Sequence, residues 1–202
     1  FYDGILMGKD TRFSQIADVT TFNLVGVGCM IDTATPITPN MPTGYAVQLG
    51  TKTVSGVSYQ TESLAGVNYQ VGSNASNTYG TLAEAVASIS NGATETITVL
   101  RDVTDSSVTD IKDNKTITLN TNGKKISFDY VGISVMDTGT LILKGSGEIC
   151  DATTSSSTNG AIGIFSGGRV EMTTHDTKIS SNNPNTSAIG MSGGTFIMSK
   201  GS

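Results

Sequence analysis

Five short stretches of this 202-residue chain can be laid over one another: Thr96–Val99 (TITV), Thr116–Leu119 (TITL), Gly139–Leu143 (GTLIL), Gly168–Met172 (GRVEM) and Gly194–Met198 (GTFIM). With Thr96, Thr116, Thr140, Arg169 and Thr195 taken as equivalent, successive copies lie 20, 24, 29 and 26 residues apart. Within each copy apolar residues recur at every second position. Successive strand side chains point to opposite faces, so Ile97 and Val99, Ile117 and Leu119, Leu141 and Leu143, Val170 and Met172, and Phe196 and Met198 share one face. A short apolar strand recurring at a loose period of about 20 to 30 residues predicts a solenoid, in which each repeat buries its face only against its neighbours.

More apolar residues fall between the copies. Ile126, Ile149 and Ile179 follow three of them, while Ile133 and Val135, Ile162 and Ile164, and Ile189 and Met191 precede the next. Each turn of the coil thus offers about three short strands. That is the pattern of a right-handed parallel β-helix, with turns about 4.8 Å apart. The 24 Gly residues and the Ser, Thr and Asn between apolar runs supply the turns, so the fold class is mainly β.

One helix is predicted, directly before the first copy. Thr81 and Glu84 form a T-x-x-E capping box, Leu82, Val86 and Ile89 fall on one helical face, and Asn91-Gly92 supplies a stop. A solenoid end exposes an unpaired strand edge and an open core, and Thr81–Ile89 reads as the cap that covers them. The last copy ends in MSKGS without such a cap, so the natural chain is expected to continue with more turns.

The polar stretch Ser73–Thr78 reads as a linker, dividing residues 1–75, a small β-rich attachment or knob-like domain, from residues 76–202, the capping helix and first turns of the β-helix. Apolar runs at Phe22–Val27, Tyr45–Leu49 and Val67–Val71, separated by turn-rich segments, fit antiparallel strands, and Asp10–Val19 fits a short helix.

A net charge of −5 without a Lys/Arg cluster excludes a nucleic-acid footprint. No apolar run approaches the roughly 20 residues that span a bilayer as a helix. The opening FYDGILMGKD lacks the basic flank and long apolar run of a secretion signal, a picture that a signal already removed would also leave. Cys29 and Cys150 read as two free thiols rather than a disulfide, which suits folding in a reducing compartment.

The later turns carry Glu148, Asp151, Glu171 and Asp176. Two carboxylates on the outer face about 5 to 9 Å apart could cleave a glycosidic bond, so these four are the catalytic candidates. The competing reading, acids merely solvated on an acidic rod, is preferred. Asp102, Asp105, Asp110 and Asp113 gather without the Gly turn and Glu of a calcium loop and read as solvated loop acids. His175, the only histidine, has no metal partners in sequence and reads as a surface turn residue. GVGC at residues 26–29 lacks the pattern of a nucleotide fingerprint. No cofactor and no metal is expected.

At the outward position of the aligned strand Thr98 and Thr118 are polar, whereas Ile142 and Ile197 are apolar and flank Glu171. Outward isoleucines on a rod predict packing against another copy of the chain, and Ile142 and Ile197 are the expected interface of a homotrimer.

From Tyr79 onward, TLAEAVASI, TITVLRDVT, NKTITLNTNGKKISF and GGTFIMSKGS resemble the right-handed β-helix repeats of bacterial surface proteins, pectin-active enzymes and phage tailspikes. In the first domain, ADVTTFNLVGVGCMIDTATPITPNMPTGYAVQLG followed by GVSYQTESLAGVNYQVGS is similar to the knob domain of phage and pyocin tail fibres, although the tryptophans that usually end that pattern are absent. Polysaccharide lyases of this fold combine Asp ligands for calcium with an Arg or Lys base. The solenoid's arginines, Arg101 and Arg169, lie in no Asp-rich cluster.

Together the resemblances imply a structural and host-recognition component of a phage tail or related particle, attached through its N-terminal domain and folded in the host cytoplasm, with a trimeric shaft that meets cell-surface polysaccharide. The alternatives are an exported bacterial adhesin with a β-helix stalk and a polysaccharide-degrading enzyme, either a glycoside hydrolase or a lyase. No nucleic acid or membrane partner is expected.

Overall fold

The structure, a computed structural model, describes residues 45–54, 57–75, 77–129, 132–153, 160–173 and 176–199, with residues 45–66 as backbone. The expected helix at 10–19, the apolar run at 22–27, the GVGC stretch, Cys29 and His175 lie outside the described residues. The chain divides into two compact units, Phe1–Gly66 and Val67–Ser202. In the first, β1 (Tyr45–Val54) and β2 (Val57–Gly66) form an antiparallel hairpin with Tyr45 opposite Gly66 and Val54 opposite Val57.

The second unit opens with β3 (Tyr69–Val71), β4 (Thr78–Tyr79) and α1 (Leu82–Ala87). Four turns of parallel solenoid follow, each made of three strands. They are β5 (Thr94–Val99), β6 (Val103–Asp105) and β7 (Thr109–Ile111); β8 (Thr116–Asn120), β9 (Lys125–Phe128) and β10 (Ile133–Val135); β11 (Thr140–Lys144), β12 (Glu148–Asp151) and β13 (Ile162–Phe165); and β14 (Arg169–Met172), β15 (Lys178–Ser181) and β16 (Ile189–Ser192). β17 (Thr195–Met198) adds one strand more. The strands stack into three sheets: β5-β8-β11-β14-β17, β6-β9-β12-β15 and β7-β10-β13-β16. This is the parallel β-helix that the repeat predicts.

In-register stacking makes the core a set of columns. Ile117, Leu141, Val170 and Phe196 form one, Leu119, Leu143, Met172 and Met198 a second, Ile126, Ile149 and Ile179 a third, and Ile111, Val135, Ile164 and Met191 a fourth. In the middle turns these side chains are fully buried, each contributing about 1.5 to 3 kcal/mol. Burial declines toward the last turn, where Met191 is 55% and Met198 51% exposed.

Three of the four repeat steps agree with the register, and the first does not. Thr94, not Thr96, lies opposite Thr116, a step of 22 residues, so that Ile97 stacks on Leu119 and Glu95 stands exposed opposite Ile117. Because side-chain direction has period two, a slip of two residues keeps every side chain on its face. The slip therefore changes the register and leaves the inward set as the alternation predicts.

The glycine that opens three of the copies has a steric cause. A Cβ on Gly139 would stand 2.2 Å from the Ile111 carbonyl oxygen, and one on Gly168 2.1 Å from that of Val135. The chain can round this corner so close to the turn above only without a side chain. In the second turn the equivalent position holds Lys115, whose buried side chain sends Nζ to the Val86 carbonyl oxygen at the end of α1, 3.1 Å away.

The predicted capping box is present: Thr81 Oγ1 accepts from Glu84 N–H at 3.2 Å, and Glu84 Oε2 accepts from Thr81 N–H at 3.1 Å. The helix stops at Ser88 rather than at Asn91-Gly92; the Ser88 hydroxyl donates to Ala85 O, and Gly92 N–H donates instead to Asp113 O of the first turn. Leu82, Ala85, Val86 and Ile89 are buried in the solenoid core, and α1 packs on β7, β3 and β4. The helix thus closes the core, while the free edge of β5 is closed by β3, which pairs with it antiparallel and is itself flanked by β4.

Candidate functional site

The outer face of the second sheet carries a ladder of alternating charge. Ile126, Ile149 and Ile179 point inward, so Lys125, Glu148 and Lys178, one residue earlier and in register, point outward. Asp102, just ahead of β6, takes the place above Lys125 and accepts its backbone N–H at 2.8 Å. Glu148 sits between the two lysines, Oε2 at 3.1 Å from Lys125 Nζ and Oε1 at 2.8 Å from Lys178 Nζ, and Ser180 Oγ donates to Oε1 at 2.6 Å. Lys178 first, then Ser180 and Lys125, hold the Glu148 carboxyl at about 2, well below its ordinary range. The hydrogen bond to Glu148 in turn raises the Lys125 ammonium.

This ladder borders a groove of about 310 Å³ at the corner between the first and second sheets. Every turn contributes to its lining: Asp102 from the first, Gly123, Lys124 and Lys125 from the second, Ser146, Gly147 and Glu148 from the third, Asp176 and Lys178 from the fourth. Of the four acids named from the sequence, the groove unites Glu148 and Asp176 only.

Asp151 lies at the far end of β12 and is fully buried. Its Oδ1 accepts from Thr153 N–H at 3.0 Å and Thr153 Oγ1 at 2.6 Å, and its Oδ2 from Ser181 Oγ at 3.0 Å and Thr186 Oγ1 at 2.7 Å. Burial alone would raise its pKa, but the donations, those of Thr153 and Thr186 foremost, outweigh it and hold the carboxyl below its usual range. Glu171 is on another sheet, on the outer face of β14, with Oε1 2.6 Å from Arg169 Nε. It stands in register between Ile142 and Ile197, and all three are half-buried.

The acids of the first turn separate into exposed and buried ones. Asp102 and Asp113 are exposed, and exposed Asp110 pairs with Lys112 at 3.8 Å. Asp105, read from the sequence as solvated, is 3% exposed. It repeats the arrangement of Asp151: its Oδ1 accepts from the N–H and hydroxyl of Ser107, the residue two further on, as Asp151 does from Thr153. The two aspartates occupy one register position, with Phe128 on the intervening turn. The D-x-[S/T] spacing of a side-chain turn was the available signal for both. Cys150 is a buried free thiol, and no group of three or more metal-ligating side chains forms among the described residues.

No protein-family model, curated protein or solved structure matched the chain.

Proposed function

We propose that the chain is a structural and host-recognition component of a phage tail or related particle, whose β-helix serves as a shaft in contact with cell-surface glycans. The supporting observation is the state of its acids. Glu148 is held ionised between two lysines and Asp151 is enclosed by four donors. Carboxylates so held make poor proton donors to a leaving group, which favours a structural and binding role over hydrolysis. The half-buried Ile142 and Ile197 on either side of the Arg169–Glu171 pair suit a trimer contact along the first sheet. Attachment to the particle falls to the N-terminal region, and the free, buried Cys150 suits folding in host cytoplasm.

Two measurements on the full chain test this. Light scattering should give a trimer, and an array of bacterial surface glycans should retain the protein without release of new reducing ends or unsaturated products. A monomer that binds no glycan overturns the reading; product release would move the chain to the polysaccharide-degrading enzymes.

A further inference from the structure

Three polar side chains in the corner groove, Lys124, Ser146 and Asp176, have no hydrogen-bond or ion-pair partner among the described residues, while each side chain of the ladder beside them has one. Asp176 and Ser146 are exposed and Lys124 is half-buried. The lining as a whole carries three carboxylates (Asp102, Glu148, Asp176) and three ammonium groups (Lys124, Lys125, Lys178). The groove is therefore polar, electrically balanced and furnished with donors and acceptors that remain unused.

That balance selects the ligand. An anionic polymer would have to compete with Glu148 for Lys125 and Lys178 and would meet Asp102 and Asp176 on either side; a cationic one would meet the three lysines. A neutral polyhydroxyl chain meets neither penalty. A carboxylate accepts from its hydroxyls, an ammonium donates to them, and the serine hydroxyl does either. Charge-assisted bonds of this kind are the stronger ones. The lining residues also recur once per turn, about 4.8 Å apart along the axis. A polymer of repeating hydroxyl-bearing units lying parallel to that axis would present its groups to successive turns.

We infer that this groove binds an uncharged oligosaccharide, with Lys124, Ser146 and Asp176 as its direct contacts and the Lys125–Glu148–Lys178 ladder as the fixed wall beside it. The inference rests on the glycan-binding reading above and narrows it to one corner of the rod and one class of sugar. Gly123 and Gly147 add no side chain to the lining. At Gly147 nothing larger fits, since a Cβ there would stand 2.0 Å from the Lys124 carbonyl oxygen.

The experiment is a calorimetric titration of the full chain with maltohexaose, mannohexaose and chitohexaose as neutral probes and hexagalacturonate as the anionic one, alongside the glycan array. At least one neutral probe should bind, and its affinity should stay nearly constant as salt rises from about 0.05 to about 0.5 M, because no net charge is neutralised. Lys124→Gln and Asp176→Asn should each weaken it about fivefold, the loss of roughly one hydrogen bond. Both substitutions are at surface positions, and unchanged melting temperatures would show that the fold is intact. Asp110→Asn, on the third sheet, should leave binding as it is. Failure of all three neutral probes, tighter salt-sensitive binding of hexagalacturonate, or indifference to both groove variants overturns the proposal. If the array still retains the protein in any of those cases, the broader reading survives and only the groove is excluded; if the array too is blank, both fall.

Discussion

The Tyr69 hydroxyl donates to Asp105 Oδ2 at 2.9 Å, and through that bond the antiparallel strand above the solenoid is tied to its first turn. The same oxygen accepts Leu82 N–H at 2.9 Å, one of the unpaired amides that begin α1. Burial first, and the Asp105 charge after it, push the Tyr69 phenol far above its ordinary pKa. Removing the carboxylate strands several buried donors at once, so Asp105→Ala should destabilise the protein by about 3 kcal/mol, whereas Tyr69→Phe, which removes a single donor, should cost about 1 kcal/mol. Urea titration of both variants checks this. An Asp105→Ala loss no larger than that of exposed Asp110→Ala would show that Asp105 does not hold the cap.

Thr109 contributes the opposite case. It stands inward in the column above Ile133, Ile162 and Ile189, and among the described residues its buried Oγ1 has no hydrogen-bond partner. Valine has the same shape without the hydroxyl, and strand positions favour it. Thr109→Val should therefore stabilise the fold by about 1 kcal/mol, seen as a higher urea midpoint at unchanged slope. A lower midpoint would mean that the hydroxyl has a partner after all.

The inward faces were legible because alternation alone assigns them: Ile117, Leu119, Leu141 and Leu143 needed no knowledge of pairing. Register was harder to read, since TITV and TITL look alike yet pair two residues out of step, and the closing strand Tyr69–Val71 looked like part of the preceding domain. Sites depend on register. Lys125, Glu148 and Lys178 are 23 and 30 residues apart in sequence and become a ladder only when the turns stack, which is why Glu148 reads alone as a candidate acid and in the fold as a held carboxylate. Asp105 is hard to read for another reason: composition treats an acid in a loop as solvated, and only the D-x-S spacing marks it as one that turns back on its own backbone.

Between β10 and β11 the chain turns through Asp137 and Thr138, both in the left-handed region, at φ 44° and 68°. Such a turn suits Asn, Asp or Gly, whereas a β-branched residue is strained there. Thr138 Oγ1 compensates in part by accepting Asn114 N–H at 3.2 Å from the turn above. Asparagine tolerates the backbone and keeps a side-chain acceptor, so Thr138→Asn should raise stability by about 1 kcal/mol. Thermal unfolding of the variant measures it, and a drop in melting temperature would show that the threonine methyl has packing worth more than the strain.

The charge ladder should give the protein an acid-sensitive component of stability. Glu148 titrates at about 2 in the folded chain against an ordinary value of 4.5, so its contribution is fully present above pH 4.5 and is lost as the pH falls toward 2. Its partners are largely solvated, Lys125 at 41% and Lys178 at 69% side-chain exposure, which reduces that contribution to about 1 kcal/mol. Glu148→Gln should accordingly lower stability by that amount at pH 7 and by almost nothing near pH 2. Glu148→Lys places three like charges on adjacent turns and should cost about 2 kcal/mol at neutral pH, a loss that added salt partly restores. Urea midpoints of the three proteins at pH 7, 4 and 2.5 separate these outcomes. If the difference between the native chain and Glu148→Gln persists undiminished to pH 2.5, the glutamate acts through packing rather than through its charge.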